Sequence, residues 1–316
     1  MHYVAMGNTG FQVSDMILGT YKAGGTDWGA VNDLDSMATI QHCVDRGVNL
    51  LDTATGYGMG RAERIINYAL GDEGGKRLGK AKIMTKWYLW QGRDEVKTRS
   101  VSPTAQAEFL VGSKVRLGLD KLDLVLLHRD DEVTPIETAV ETLARYQSEG
   151  QIEWIGVSNY SLEQLKRSQE VAPLQMYQPN LSMWDTGVRD DGRLDFCREN
   201  GIAVSVFRVF ERGWFVPRLK EAHEYPVWDA RSRTHAGPEF EMRKRIHARL
   251  RELAEEQGLS VSQLALAWAL SQPGVTSVIM GASTPDQAEH NLAASGRRLS
   301  ADLARECERI AKEGKS

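Results

Sequence analysis

Eight short apolar segments alternate with longer segments of helical periodicity along the chain. Several of these short segments are almost wholly apolar, as the strands of a parallel sheet must be when both of its faces are covered. The alternation predicts right-handed strand–helix–strand units, and eight such units favour an α/β fold closed into a (β/α)8 TIM barrel over an open doubly wound sheet. The predicted strands are Met16–Gly19, Val48–Asp52, Lys82–Lys86, Asp123–His128, Glu153–Val157, Leu174–Gln178, Ile202–Phe207 and Thr276–Met280.

The segments between the strands carry signals for the starts and ends of helices. A hydroxyl residue followed three positions later by Glu or Gln predicts a capping box, which satisfies two free N–H groups at a helix start. A glycine after a helical segment suits the left-handed residue that ends many helices. The capping patterns begin at Thr134, Ser161, Ser260 and Thr284, and the glycines are Gly47, Gly150, Gly201 and Gly258.

Two segments break the strand–helix period. Residues 1–13 contain the turn Gly7-Asn8-Thr9-Gly10, which predicts an N-terminal β-hairpin that closes the bottom of the barrel. Residues 208–238 predict a long loop after strand seven, on the face where barrel enzymes carry their active sites. The 316-residue length suits one barrel, whose usual size is about 250 residues, with loop insertions. We therefore expect a single domain over residues 1–316.

Composition and charge exclude several classes of protein. The net charge of −4 argues against nucleic-acid binding, and no segment approaches the roughly 20 apolar residues of a membrane helix. The N-terminal residues lack the basic head and apolar core of a secretory signal, so we expect a cytoplasmic location. Cys43, Cys197 and Cys307 are few and far apart, which predicts buried thiols and neither a disulfide nor a metal site.

Polar side chains stand at the ends of three successive predicted strands. Asp52 ends the second strand, Lys86 the third and His128 the fourth, and Tyr57 follows Asp52 in a glycine-rich loop. The C-terminal ends of barrel strands converge on one mouth, so we expect these side chains to lie close together. Each of them alone is compatible with a structural role, as a turn cap, a loop tyrosine, a surface lysine or a strand-end histidine.

Together the four side chains suit proton transfer to a carbonyl oxygen while a hydride reaches its carbon. A free tyrosine has a pKa of about 10, and a buried ammonium beside it favours the phenolate. We therefore expect Lys86 to lower the pKa of Tyr57 and Asp52 to pair with Lys86. His128 could polarise the carbonyl or relay a proton.

On these residues the chain resembles the aldo-keto reductases, and the resemblance spans nearly its whole length. It is most similar to the long-chain branch that also holds the potassium-channel β-subunits. The motifs that carry the resemblance are Gly7-Asn8-Thr9-Gly10 with Val13-Ser14, Leu18-Gly19-Thr20, Asp52 to Gly58, Thr85-Lys86, Leu127-His128, Gly156-Val157-Ser158-Asn159, Gln178, and Gly281-Ala282-Ser283-Thr284 with Gln287 and Asn291.

The resemblance implies a carbonyl reductase that prefers NADP(H), with NAD(H) not excluded. It implies that Tyr57 is the general acid, assisted by Lys86, His128 and Asp52. Ser283 and Gln287 would contact the 2′-phosphate end of the cofactor, Asn291 the adenine, and Ser158, Asn159 and Gln178 the carboxamide. The cofactor residues expected in all are Gly19, Thr20, Ser158, Asn159, Gln178, Phe207, Arg212, Arg218, Gly281, Ser283, Thr284, Gln287 and Asn291.

The turn after strand eight has a physical reason to bind an anion, since it opens a helix whose first N–H groups are free. The chain departs from the family pattern in having Phe207 where a tyrosine often stacks on the nicotinamide, and His290 where a glutamate usually stands. Residues 281–287 contain no Lys or Arg. The long loop could supply that charge through Arg218, Arg231 or Arg233.

Three tryptophans that follow strands are predicted to wall a substrate pocket: Trp28, Trp87 and Trp184. Aromatic walls suit a small-molecule carbonyl substrate with a bulky ring, such as a keto-sugar. Two alternatives stay open. Lys86 could form a Schiff base, or the chain could be a regulatory subunit that binds NADPH and turns over little. The sequence leaves the oligomeric state open.

Overall fold

Eight parallel strands close into the predicted barrel in the computed structural model, which describes residues 1–25, 31–77, 79–91, 97–227, 229 and 231–313. The barrel consists of β3, β4, β5 and β8 to β12, and every neighbouring pair is parallel. The strands in chain order are β1 (Tyr3–Ala5), β2 (Gln12–Ser14), β3 (Met16–Gly19), β4 (Leu50–Asp52), β5 (Lys82–Trp87), β6 (Leu89–Gln91), β7 (Lys97–Arg99), β8 (Leu122–Leu127), β9 (Ile152–Ser158), β10 (Met176–Gln178), β11 (Ala203–Val206) and β12 (Ser277–Gly281).

Helices follow the barrel strands and cover the outside of the barrel. In chain order they are α1 (Asp33–Asp45), α2 (Arg61–Gly75), α3 (Pro103–Leu117), α4 (Ile136–Ser148), α5 (Leu162–Val171), α6 (Gly187–Asp190), α7 (Arg193–Glu199), α8 (Arg231–Thr234), α9 (Gly237–Glu256), α10 (Val261–Leu270), α11 (Pro285–Leu292) and α12 (Ala301–Ala311). Within the residues described, no helix combines the length and the apolar character needed to cross a membrane.

The capping predictions divide into three outcomes. Complete capping boxes start α5 at Ser161 and α10 at Ser260, as predicted. Thr284 accepts a hydrogen bond from the N–H of Gln287, but the Gln287 side chain accepts one from Ser283 instead of completing the box. The box predicted at Thr134 is wrong, because its hydroxyl donates to Asp131 at 2.8 Å and Pro135 occupies the N-cap position of α4.

The N-terminal hairpin closes the bottom of the barrel, as predicted. Strands β1 and β2 pair antiparallel. Met6 and Val13 are fully buried in the cluster of side chains that fills the barrel interior, and Phe11 packs against that cluster. The ring of Phe11 lies 5.4 Å from that of Trp154 on β9. The hairpin therefore shields the N-terminal end of the barrel and leaves the opposite end open for a site.

The segment after β11 is long, as predicted, and the helices in its described residues before α9 are short. A 3-10 turn spans Ala222–Glu224, and α8 covers four residues. A short hairpin of β6 and β7 follows β5 and was not predicted. The three cysteines are free and buried, as predicted, and burial raises the pKa of each thiol to about 12.

A glycine on β9 tests how tightly the barrel is closed. A Cβ at Gly156 would lie 2.1 Å from the carbonyl oxygen of Met176 on β10. We expect Gly156→Ala to lower the free energy of unfolding by about 1–3 kcal/mol, measured by urea denaturation. The control is Gly71→Ala in α2, where a Cβ meets no atom within 4 Å and should stabilise by about 0.5–1 kcal/mol. Equal effects of the two substitutions would contradict this packing.

Candidate active site

A buried ion pair lies at the C-terminal end of the barrel. Lys86 on β5 donates from Nζ to Oδ1 of Asp52 on β4 at 2.6 Å, and to the carbonyl oxygen of Thr53 at 2.8 Å. Gln178 on β10 donates from Nε2 to the same carboxylate oxygen at 2.8 Å. These contacts join the ends of strands from different parts of the barrel. They give both buried charges hydrogen-bonding partners, which buried charges require.

Tyr57 and His128 lie against this pair, so the structure brings the four predicted residues together. The ring centre of Tyr57 is 4.9 Å from Nζ of Lys86 and 6.0 Å from the ring of His128. Tyr57 and His128 are both half-buried. A phenol, an ammonium, a carboxylate and an imidazole therefore share one opening, which two further aromatic rings flank. Tyr21 lies 4.9 Å from the ring of Tyr57, and Tyr88 lies 6.3 Å from that of His128.

The electrostatic expectation for Tyr57 is wrong. Burial, followed by the nearby Asp52 carboxylate, raises the pKa of Tyr57 well above 10. The ammonium of Lys86 is paired with Asp52. Burial also lowers the pKa of Lys86, and the Asp52 carboxylate opposes that shift. Tyr57 therefore keeps its proton at neutral pH and can donate it.

His128 is neutral at physiological pH. Burial, then the positive charges of Lys86 and Arg129, lower the pKa of His128 to about 3. Its backbone is fixed by a hydrogen bond from its N–H to Trp87 and by one that Asn159 donates to its carbonyl oxygen at 3.1 Å. A neutral imidazole carries one N–H, so His128 can donate a hydrogen bond without carrying a charge.

The residues predicted for the carboxamide lie at the ends of β9 and β10, where Ser158 and Gln178 are buried and Asn159 is half-buried. Ser158 donates from Oγ to the carbonyl oxygen of Gln178 at 2.8 Å, and it accepts from Nδ2 of Asn159 at 2.9 Å. Asn159 has a left-handed backbone, with φ of 61°. Phe207 is half-buried after β11 and packs against the barrel interior. These residues surround the mouth of the barrel next to the ion pair.

Gly19 and Thr20 border the site from β3. The N–H and the hydroxyl of Thr20 both donate to the carbonyl oxygen of Asp52 at 2.9 Å. A Cβ at Gly19 would lie 4.0 Å from a carboxylate oxygen of Asp52 and 2.8 Å from Ile279. The end of β3 is therefore attached to the strand that carries the buried carboxylate.

Lys22 reaches the turn between β12 and α11 and was missed from the sequence. Its ammonium donates to Oγ of Ser283. A pocket opens here, with walls that include Gly19, Thr20, Lys22, Ser283 and Thr284. Its donors and its cation fit a phosphate group. The signal available in the sequence was the position of Lys22, two residues after Thr20 at a barrel strand end.

The other residues predicted around this turn differ in placement. The side-chain oxygen of Gln287 accepts a hydrogen bond from the N–H of Ser283. The amide of Asn291 donates to the carbonyl oxygen of Gly281 at 3.2 Å. Arg231 pairs with Asp229 at 2.6 Å. Burial, and then the Arg231 charge, lower the pKa of Lys22. Three arginines of the long loop are instead exposed: Arg212, Arg218 and Arg233. Of these, Arg218 pairs with Glu224.

One of the three tryptophan predictions is wrong, and the other two remain predictions. Trp87 is fully buried between the barrel and the helices, with its indole N–H directed at Ser113 on α3, so it does not face the mouth. The cause is strand alternation, since the preceding Lys86 points inward. Trp184 is mostly buried and stacks on the guanidinium of Arg243 at 4.1 Å. Trp28 lies outside the described residues.

Known proteins resemble this chain in sequence and structure. It is 32% identical to the aldo-keto reductase YhdN of Bacillus subtilis, over 92% of this chain and 87% of that protein. It is 29% identical to the NADH-specific methylglyoxal reductase of Escherichia coli, over 95% of each protein. The structure of the glycerol dehydrogenase AKR11B4 from Gluconobacter oxydans superposes with a TM-score of 0.87 and 29% identity, covering 98% of this chain and 95% of that one.

The family assignment does not depend on any one of these relatives. The model of the Aldo/keto reductase family matches residues 15–312, which include every residue of the site described above. The matched range also contains the whole barrel, from β3 to α12. The chain therefore belongs to the aldo/keto reductase family.

Proposed function

We propose that this chain is a cytoplasmic, single-domain reductase that converts an aldehyde or ketone to an alcohol and prefers NADPH. The observation that carries the proposal is the placement of Tyr57 against the buried Lys86–Asp52 pair, with His128 beside it. Membership of the family supports an oxidoreductase. The site supports the roles of its individual residues.

The proposed chemistry uses each group in the form that the site favours. A reduced nicotinamide would supply a hydride to the carbonyl carbon. As negative charge develops on the carbonyl oxygen, the Tyr57 hydroxyl donates its proton there. His128, as a neutral imidazole, donates a hydrogen bond to the same oxygen. Lys86 faces the ring of Tyr57 and favours the phenolate that forms, and Asp52 fixes the position of Lys86.

The cofactor preference rests on the β12–α11 turn. Ser283, Gln287 and Asn291 stand where the family resemblance implies the adenosine end, and Lys22 adds a cation beside Ser283. A charged donor favours a phosphate over a hydroxyl at this position. Family membership alone does not decide the preference, because the relative from Escherichia coli is described as NADH-specific.

The substrate side supports a bulky or cyclic carbonyl compound, such as a keto-sugar. Trp87 is buried outside the barrel, but Tyr21 and Tyr88 bring aromatic rings next to Tyr57 and His128. Tyrosine rings present an apolar face and a polar hydroxyl, which suits a ring compound that carries hydroxyl groups.

Substitution of Tyr57 tests the general acid. We expect Tyr57→Phe to lower kcat for carbonyl reduction by about 10²–10⁴-fold, because the proton donor is lost. The Kd of NADPH, measured by fluorescence quenching, should stay within about twofold, since the ring is retained. Tyr68→Phe on the exposed face of α2 is the control and should match the wild type. Wild-type turnover in Tyr57→Phe would contradict the assignment. Tight cofactor binding by the wild type without turnover of any carbonyl would favour the regulatory-subunit alternative.

Substitution of Lys22 tests the cofactor preference. We expect Lys22→Gln to raise the Kd of NADPH about tenfold, which corresponds to the loss of one charged hydrogen bond, and to change that of NADH much less. The matched control is Lys121→Gln, which is exposed beside the start of β8. Equal weakening of both cofactors would place Lys22 against a group that they share, and would remove this support for the NADPH preference.

The state of His128 predicts the pH dependence of the rate. With a pKa of about 3, His128 stays neutral from pH 5 to 8, so its titration should contribute no limb to kcat in that range. We expect His128→Ala to lower kcat about 10²-fold at every pH and to leave the shape of the profile unchanged. The exposed His223 provides the control substitution. A limb near pH 6.5 that disappears in His128→Ala would show that this imidazole titrates.

A further inference from the structure

A second buried carboxylate lies behind the active site, on the side of the helices. Glu63 is in the first turn of α2 and is fully buried. Its Oε1 accepts a hydrogen bond from the hydroxyl of Thr85 at 2.7 Å, and its Oε2 accepts one from Nε of Arg116 on α3 at 2.5 Å. A buried carboxylate is stable only when its oxygens are paired in this way. The chemistry proposed above does not use it.

The partners of Glu63 connect it to Lys86. Thr85 immediately precedes Lys86 on β5, and strand alternation points Thr85 towards the helices and Lys86 into the barrel. Glu63 ends a chain segment that begins at Thr55. The N–H and the hydroxyl of Thr55 both donate to the carbonyl oxygen of Lys86 at 3.1 Å. Residues 55–63 are therefore hydrogen-bonded at both ends to two consecutive residues of β5, and Tyr57 lies between these two attachment points.

The same segment is held on its other side by the loop after β3. Gly58 has a φ of 59°, and a Cβ there would lie 2.0 Å from the carbonyl oxygen of Gly24. Arg61 donates from Nη1 to the carbonyl oxygen of Ala23 at 2.9 Å. Because residues 55–63 also contact the loop after β3, their position is restricted on both sides. The Glu63–Thr85 hydrogen bond then sets how closely they approach β5.

We propose that Glu63 is a positioning residue that holds Tyr57 in its working position against Lys86 through its bond to Thr85. The proposal rests on the proposed function, in which Tyr57 donates the proton. Glu63 touches neither substrate nor cofactor in this role. Its effect passes through the placement of Tyr57, and a displacement of about 1 Å in a reacting group can cost up to about 10²-fold in rate.

The test removes the connection and keeps the fold. Thr85→Val preserves the shape of the side chain and leaves the Glu63–Arg116 pair in place, whereas Thr85→Ser retains the hydroxyl. We expect Thr85→Val to lower kcat about tenfold, with KM and the Kd of NADPH within about twofold, and Thr85→Ser to restore the rate. In a Tyr57→Phe background, Thr85→Val should have no further effect, because its action passes through Tyr57.

The matched control is Ser113→Ala. It removes another buried hydrogen bond between β5 and a helix, the one that Trp87 donates to Ser113 at 3.3 Å, without touching residues 55–63. We expect wild-type kcat from this variant. Wild-type kcat in Thr85→Val would overturn the proposal, as would an equal loss in the presence and the absence of the Tyr57 hydroxyl.

A second readout does not require turnover. After incorporation of 3-fluorotyrosine, the ¹⁹F NMR signal of Tyr57 is assigned by its disappearance in Tyr57→Phe. We expect this signal to shift in Thr85→Val and to keep its position in Thr85→Ser and Ser113→Ala. An unchanged signal in Thr85→Val overturns the role of Glu63, whatever the activity. A shifted signal in an enzyme that reduces no carbonyl supports the positioning and contradicts the proposed function.

Discussion

The buried pair of Lys86 and Asp52 constrains the rest of the site. Their side chains are 1% and 4% exposed, and removing two charges from water costs several kcal/mol per ion unless geometry compensates. Compensation here comes from the Thr53 carbonyl and the Gln178 amide as well as from the pair itself. The pair therefore forms only when β4, β5 and β10 end at matching heights. A closed barrel meets this condition, because its register aligns Asp52 with Met84, two residues before Lys86.

Successive side chains of β5 point alternately into the barrel and towards the helices, so one strand contributes to both layers. Met84 and Lys86 face the interior, where the first fills the barrel and the second carries the charge of the site. Thr85 and Trp87 face the helices, where they bond to Glu63 on α2 and Ser113 on α3. The same four residues thus position the Lys86 ammonium beside Asp52 and attach the strand to its supporting helices. This division explains why Trp87, next to Lys86, packs between the barrel and the helices and does not face the mouth.

The sequence predicted what depends on local pattern and missed what depends on distant contacts. Strand ends were predicted to within about two residues, because apolar runs mark them, and the approach of Asp52 to Lys86 followed from parallel closure. Lys22 was missed because it meets Ser283 across 261 residues of chain. The predicted capping box at Thr134 was wrong because the Thr134 hydroxyl donates to Asp131 instead. The predicted direction of the Tyr57 pKa shift was wrong. Burial and the nearby Asp52 carboxylate raise this pKa, and only the structure shows how far Tyr57 is buried and how it lies relative to Asp52.

Charge is distributed unevenly over the open end of the barrel, and the distribution matches the two kinds of ligand proposed for it. Around the reacting groups, the charges of Lys86 and Asp52 cancel, His128 is neutral and Tyr57 is protonated. That part of the mouth suits an uncharged carbonyl compound. At the β12–α11 turn, the positive charges of Arg231 and Lys220 lower the pKa of Lys22, and Asp229, which pairs with Arg231 at 2.6 Å, opposes them. A net charge of −4 over the chain thus conceals a basic region where a phosphate would bind. Separation of the two regions allows one end of a cofactor to be held by charge while the other end reacts in a site without net charge.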